Sequence, residues 1–138
     1  MNNTKAPYNI SALTSQLAYT ALSAQNISNM KSIKEQIRSE HTKLISHIQK
    51  ISGIGKILGG NDANFILVQI LDENNQNVSN DRAYHVYKEL AENHGIVVRY
   101  RGNEIGCEGC LRITVGTPKE NESLLKELSK ILGGEKVV

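Results

Sequence analysis

The chain has 138 residues, 39% of them hydrophobic, which suffices for one compact core but is short for an enzyme that must also enclose a large cofactor. The formal charge of +2 is small, and Lys and Arg are interspersed with Asp and Glu, so the sequence shows no basic stripe for nucleic acid. No apolar run approaches the roughly 20 residues that span a bilayer, and the polar start MNNTKAPYN has neither the apolar region of a secretory signal nor the Arg-rich helix of a transit peptide, so a soluble cytoplasmic protein is expected.

Beyond Pro7, Ser11 can cap a short helix reaching Leu22, with Leu13, Leu17 and Ala21 at helical spacing. From Ser28 to about Ile51, Met30, Ile33, Ile37, Leu44, Ile45 and Ile48 form one apolar stripe on an otherwise polar helix, which Ser52 and Gly53 should end. Residues 53 to 61 are Gly-rich and read as a loop. Gly59 and Gly60 are followed by no GK[ST] or GxGxxG, and they precede a strand, so they mark a turn and not a phosphate loop.

The apolar run from Ala63 to Leu71 reads as a buried strand. After the polar stretch DENNQNVSN, Ala83, Val86, Tyr87, Leu90 and Ala91 have the spacing of an amphipathic helix that ends at Gly95, with Tyr84 and Tyr87 as packing residues. Ile96 to Arg101 and Cys110 to Thr114 are β-rich and joined by the loop Gly102 to Gly109, which suits an antiparallel hairpin. Thr117, Pro118 and Glu120 combine an N-cap, a first-turn proline and a capping-box glutamate. Leu124, Leu125, Leu128, Ile131 and Leu132 form the buried face behind them, and Gly133 and Gly134 stop the helix. The expected fold class is α+β: two leading helices, then β-α-β-β-α with helices covering one face of a small sheet. The leading helices thus fall within residues 1–52 and the β-α-β-β-α part within residues 53–138, which the resemblance described below implies are a connecting segment and a small C-terminal domain.

Strand alternation sets Leu111, Ile113 and Val115 on one face and Cys110, Arg112 and Thr114 on the other, so Arg112 interrupts an apolar context. A guanidinium there needs a partner, because burying an unpaired charge costs at least several kcal/mol. Arg99 and Arg101 share a face of the preceding strand, and antiparallel pairing brings two or three guanidiniums to one patch. Such a patch suits an anion, since the planar guanidinium fork holds a carboxylate or phosphate through two hydrogen bonds. The plainer alternative pairs Arg112 with Glu104 or Glu108 and leaves Arg99 and Arg101 on a solvated edge.

Cys107 and Cys110 have the CxxC spacing of zinc knuckles and redox sites. Zinc would need two further ligands, and His41, His47, His85 and His94 sit on helices or a helix end with no second Cys pair. Neutral thiols lining the hairpin are the expectation, and His41 and His47 are expected to be solvated.

The stretch GIVVRYRGNEIGCEGCLRITVGTPKENE, residues 95 to 122, resembles the C-terminal signature of histidinol-phosphate aminotransferases, especially the fungal type, as does APYNIS at residues 6 to 11. With ANFILVQI at residues 63 to 70 between them, the resemblance runs from Lys5 to the final helix and is collinear with the family's last third. It implies the small domain of a fold type I pyridoxal-phosphate enzyme, a homodimer that exchanges an amino group between glutamate and imidazole-acetol phosphate in histidine biosynthesis. It also implies that Arg112, in LRITVG, and Arg99, in VVRYRG, bind the phosphate of histidinol phosphate and the carboxylates of glutamate, with Arg101 as a helper.

The cofactor-binding lysine of that family, in a Ser-Lys-Ala-Phe-Gly-Leu-Ala-Gly context within the large domain, has no counterpart in this sequence. Lys5 is followed by Ala6, but Pro7, Tyr8 and Asn9 set it in the connection to the small domain, so it is not read as the Schiff-base lysine. The chain alone is therefore expected to bind no pyridoxal phosphate and to be inactive. The alternative is a truncated, stand-alone interaction module that associates with a full-length homologue.

Overall fold

Helix and strand formation follow local signals along most of the chain. The computed structural model describes residues 9–60 and 62–133, so Lys5, the residues Ala6 to Tyr8 of the APYNIS motif, and Gly134 lie outside the described residues. The chain divides into two compact units, residues 1–36 and 37–138. In the first, helix α1 spans Ala12–Ala21, and its cap is the expected Ser11, whose side chain accepts from the Thr14 N–H. It buries no residue: Leu13 and Leu17 are exposed. Helix α2, Ala24–Ile48, starts four residues before the expected Ser28 and runs from the first unit into the second.

Only part of the α2 stripe reaches a core. Leu44 and Ile48 are buried, whereas Met30, Ile33 and Ile37 are exposed. His41 is also buried, contrary to the solvated position expected of it, because at three and seven residues before Leu44 and Ile48 it lies on their stripe. His47 is exposed, with Nδ1 2.7 Å from the Lys43 carbonyl oxygen.

The second unit is built on a four-stranded sheet of β1 (Ile54–Leu58), β2 (Phe65–Ile70), β3 (Arg99–Tyr100) and β4 (Cys110–Thr114), ordered β1-β2-β4-β3 with every neighbouring pair antiparallel. Strand β1 corrects the expectation of a loop over residues 53–61. Its sequence, IGKIL, hides the period of two, because the pairing register shifts between Ile54 and Ile57. Gly55 fits there for a packing reason: a Cβ would lie 2.9 Å from Leu71 Cδ2. The strand expected over Ile96 to Arg101 shortens to β3, while its antiparallel pairing with β4 is as expected.

Helix α3, Asn80–His94, is capped by Ser79 and closed by Gly95 in the left-handed region at φ 65°. Helix α4, Pro118–Leu132, carries the full capping box between Thr117 and Glu120 and ends at Gly133. Ile66, Val68 and Ile70 of β2 and Leu111 and Ile113 of β4 form one sheet face in a buried cluster. Leu44 and Ile48 of α2, Ala83, Val86 and Leu90 of α3, and Leu124, Leu128 and Leu132 of α4 complete that cluster. Each Leu, Ile or Val so placed contributes about 1.5–3 kcal/mol relative to exposure. Arg82 ties this assembly together, donating to the carbonyls of Leu71 (3.0 Å), Asp72 (2.6 Å) and Leu132 (3.2 Å), so that its charge also meets the C-terminus of α4.

Candidate anion-binding site

Because Leu111 and Ile113 point into the core, alternation turns Arg112 to the opposite face of β4. The register pairs Arg99 directly with Arg112, so both guanidiniums leave the sheet on that face. The Arg101 N–H donates to the Cys110 carbonyl at 2.9 Å, which carries the pairing one residue further. Like charges directly opposite one another destabilise a sheet by about 0.2–1 kcal/mol, so this pairing is unfavourable until a negative charge joins it.

The three arginines differ in what holds them. Arg112 Nε is buried and has no hydrogen-bond partner among the described residues, while its Cζ stands 5.4 Å from the ring centroid of Phe65. Phe65 lies diagonally across the β2–β4 ladder on the same face, two residues from Leu67, which pairs with Arg112. Arg99 is exposed. Arg101 forms an ion pair with Glu104, three residues along the loop. That contact takes Glu104, one of the two carboxylates offered in the plainer alternative for Arg112, and no ion pair joins Arg112 to the other, Glu108, among the described residues. With the two side chains 33% and 54% exposed, the pair contributes at most about 1 kcal/mol.

An open cavity of about 630 Å³ is lined by Arg99, Tyr100, Arg101, Arg112, and Tyr84 and Tyr87 from α3. The tyrosines are its part that sequence reasoning missed. Tyr87 packs partly against the core, as expected, but Tyr84 sits edge-on to Tyr100 at 5.4 Å and 5.9 Å from Tyr87. The three-residue spacing of Tyr84 and Tyr87 on one helix face was the available signal, and only the packing of α3 beside β3 gives it meaning. The cavity therefore combines two guanidiniums free of described ion pairs, a third held loosely, and aromatic walls. It can take an anion through forked hydrogen bonds and set a flat ring against the tyrosines.

Cys107 is partly buried and Cys110 fully so. Burial is the first of the influences that push the Cys110 thiol up to about 11, and a negative charge at Cys107 adds to it. Cys110 is thus a neutral thiol near pH 7. His94 places Nδ1 3.2 Å from Glu127, joining α3 to α4.

The sequence profile of the family described as aminotransferase class I and II matches residues 1–128, and the chain belongs to that family. Among named relatives, it is 50% identical to the histidinol-phosphate aminotransferase of Schizosaccharomyces pombe over 96% of this chain and 35% of that protein. Identity to the enzyme of the same name from Saccharomyces cerevisiae is 41%, over 96% of this chain and 33% of the relative. The chain thus spans about a third of the length of the relatives it matches. Among solved structures, a decarboxylase from Sulfurospirillum multivorans superposes with a TM-score of 0.75 at 22% identity, over 94% of this chain and 31% of its own. The histidinol-phosphate aminotransferase of Clostridium acetobutylicum gives 0.71 at 24% identity, over 94% and 35%. These likenesses agree with the α+β fold of helices on one face of a small antiparallel sheet.

Proposed function

We propose that this chain is the substrate-anion-binding part of a longer histidinol-phosphate aminotransferase, which moves an amino group between glutamate and imidazole-acetol phosphate. The observation that carries the reading is the direct pairing of Arg99 with Arg112, whose buried Nε has no hydrogen-bond partner among the described residues. Both groups are supplied by one ligand that brings a phosphate or a carboxylate. In an exchange of amino groups one pocket must accept first one anion and then the other, and guanidinium forks suit both. Arg112 anchors the ligand, Arg99 adds the second fork, and Arg101 supplements them with the charge that its exposed pair with Glu104 leaves accessible. The tyrosine walls suit the imidazole ring of one substrate and exclude nothing from the smaller glutamate.

Pyridoxal phosphate is the cofactor of this chemistry, and the described residues that line the cavity include no lysine to serve as its covalent anchor. The cofactor and its lysine are assigned to the part of the enzyme that the relatives have beyond this third of their length. By itself the chain is then catalytically inactive, and the complete enzyme is a cytoplasmic homodimer.

The direct test titrates the chain with histidinol phosphate, glutamate and inorganic phosphate while following the arginine Nε–Hε resonances by NMR. Saturable shifts of Arg112 and Arg99 are expected with all three ligands, and Arg112→Lys should weaken each by about tenfold or more, because a point charge cannot replace the fork. Ligand binding that leaves both resonances unmoved would place the anion elsewhere and sink the assignment. The exposure of Leu13, Leu17, Met30 and Ile33 favours association with a further protein surface, as does the second reading, of a stand-alone module that joins a full-length homologue. An in-frame cofactor-lysine motif upstream of Met1 in the coding sequence would exclude that reading.

A further inference from the structure

The anion cavity makes no use of Cys107 and Cys110, yet the turn between them is built to hold them together. The Cys110 N–H donates to the Cys107 carbonyl at 3.0 Å, closing a four-residue turn. Such a turn keeps its end Cα atoms within about 7 Å, and disulfides bridge Cα separations of about 4.4–6.8 Å. Gly109, third in the turn, has φ +64°, the backbone that a type II turn requires at this position. It is also required by its surroundings, since a Cβ there would lie 2.3 Å from Val78 Cγ1 and 3.0 Å from the Ile70 carbonyl oxygen.

The turn is fastened on both sides. The Gly109 N–H donates to Asn80 Oδ1 at 2.6 Å, at the start of α3, and the Gly109 carbonyl accepts from the Ile70 N–H at 2.8 Å, at the end of β2. The Cys110 thiol donates to the Glu108 carbonyl at 3.5 Å, which keeps its Sγ on the turn. The two thiols differ in exposure, Cys107 being partly accessible and Cys110 buried.

We propose that Cys107 and Cys110 form a reversible redox pair, whose intramolecular disulfide closes when the folded chain meets a two-electron oxidant of the peroxide class. Exposure makes Cys107 the attacking group. Its thiolate bonds to one peroxide oxygen as the O–O bond breaks and hydroxide leaves, giving a sulfenic acid. The Cys110 sulfur then attacks the Cys107 sulfur, so that the S–S bond forms, the S–O bond breaks, and the oxygen departs as water with the Cys110 proton. Two thiols lose two electrons, and hydrogen peroxide becomes two waters. The fastened turn keeps the two Cα atoms within the range that a disulfide bridges, so closure asks for rotation of the side chains and not for rearrangement of β2, β4 or α3. The inference is independent of anion binding, and its test reads thiols, not ligands.

The test treats the reduced chain with a small excess of hydrogen peroxide, blocks remaining thiols with N-ethylmaleimide, and measures intact mass and peptide maps. The expected result is the loss of two hydrogens, no alkylation and a cross-linked Cys107–Cys110 peptide, all reversed by dithiothreitol. The rate should fall when the same chain is unfolded in urea. Cys107→Ser should keep one alkylatable thiol and give no intramolecular cross-link. The proposal is overturned if both thiols remain alkylatable after oxidation of a control peptide is complete. It is equally overturned if Cys107 accumulates added oxygen while Cys110 stays alkylatable, or if unfolded and folded chains close at the same rate.

Discussion

Replacing Arg112 by Met removes a charge whose Nε is buried without a described partner and keeps a flexible apolar stem of similar length. The unpaired buried group costs about 1–3 kcal/mol, and relief of the Arg99 opposition adds about 0.2–1 kcal/mol. Against these stands the loss of the guanidinium over Phe65, 5.4 Å from its centroid, which contributes about 0.5–2 kcal/mol. The net expectation is that Arg112→Met stabilises the anion-free chain by about 1 kcal/mol, or about 4 °C in Tm for a chain of this size. Phosphate should reverse the order. At a hundredfold excess over its Kd, an anion bound only by the folded state adds about 2.7 kcal/mol to the parent chain, and the variant should gain no more than a chloride control of equal ionic strength provides. Urea unfolding followed by circular dichroism, with phosphate and with chloride, measures both terms. A variant less stable than the parent without phosphate, together with equal stabilisation of both chains by phosphate, would refute the reasoning.

Two further perturbations follow from geometry. Gly109→Ala forces an L residue to φ +64° and a Cβ to within 2.3 Å of Val78 Cγ1, so a loss of about 2 kcal/mol or more is expected in the same urea assay; a loss under about 0.5 kcal/mol would show that the turn relaxes freely. Asp72 accepts from the Gln76 N–H at 2.9 Å and from the Asn77 N–H and side-chain amide at 3.2 Å, and the Gln76 bond is the main reason that its carboxyl is held below its ordinary value of 3.8. A folded-state value lowered in this way stabilises the protein above pH 3.8, and that contribution disappears as pH falls through the folded-state value. Glu40, Glu120 and Glu127 share the direction, each chiefly through a hydrogen bond, from Lys43, Thr117 and Lys130 respectively. Tm should therefore fall on acidification, and less steeply for Asp72→Asn; identical acid slopes would remove Asp72 from the account.

What the sequence by itself determined is the set of elements whose physics is local. Ser11, Thr117, Glu120, Gly95 and Gly133 cap helices through bonds to neighbouring backbone, and the periods along α3, α4 and β4 select a buried face wherever that face is later covered. The segment from residue 95 to 122 likewise marked Arg99 and Arg112, and the family match over residues 1–128 agrees with the resemblance read there.

Tertiary structure decided the rest, because the deciding partners are distant in sequence. The β1 strand exists through its shifted pairing with β2, which a short segment interrupted by Gly55 and Lys56 does not announce. His41 is buried because α2 lays that stripe on the core, and Glu104 was claimed by Arg101 through the fold of one loop. Register did most for the candidate site. Alternation could put Arg112 on a face, but only the alignment of β3 with β4 set it opposite Arg99, and only the packing of α3 beside β3 brought tyrosines to the same cavity. A shift of one residue would have turned one of the two arginines to the other face, so the site rests on long-range pairing that local preference does not encode.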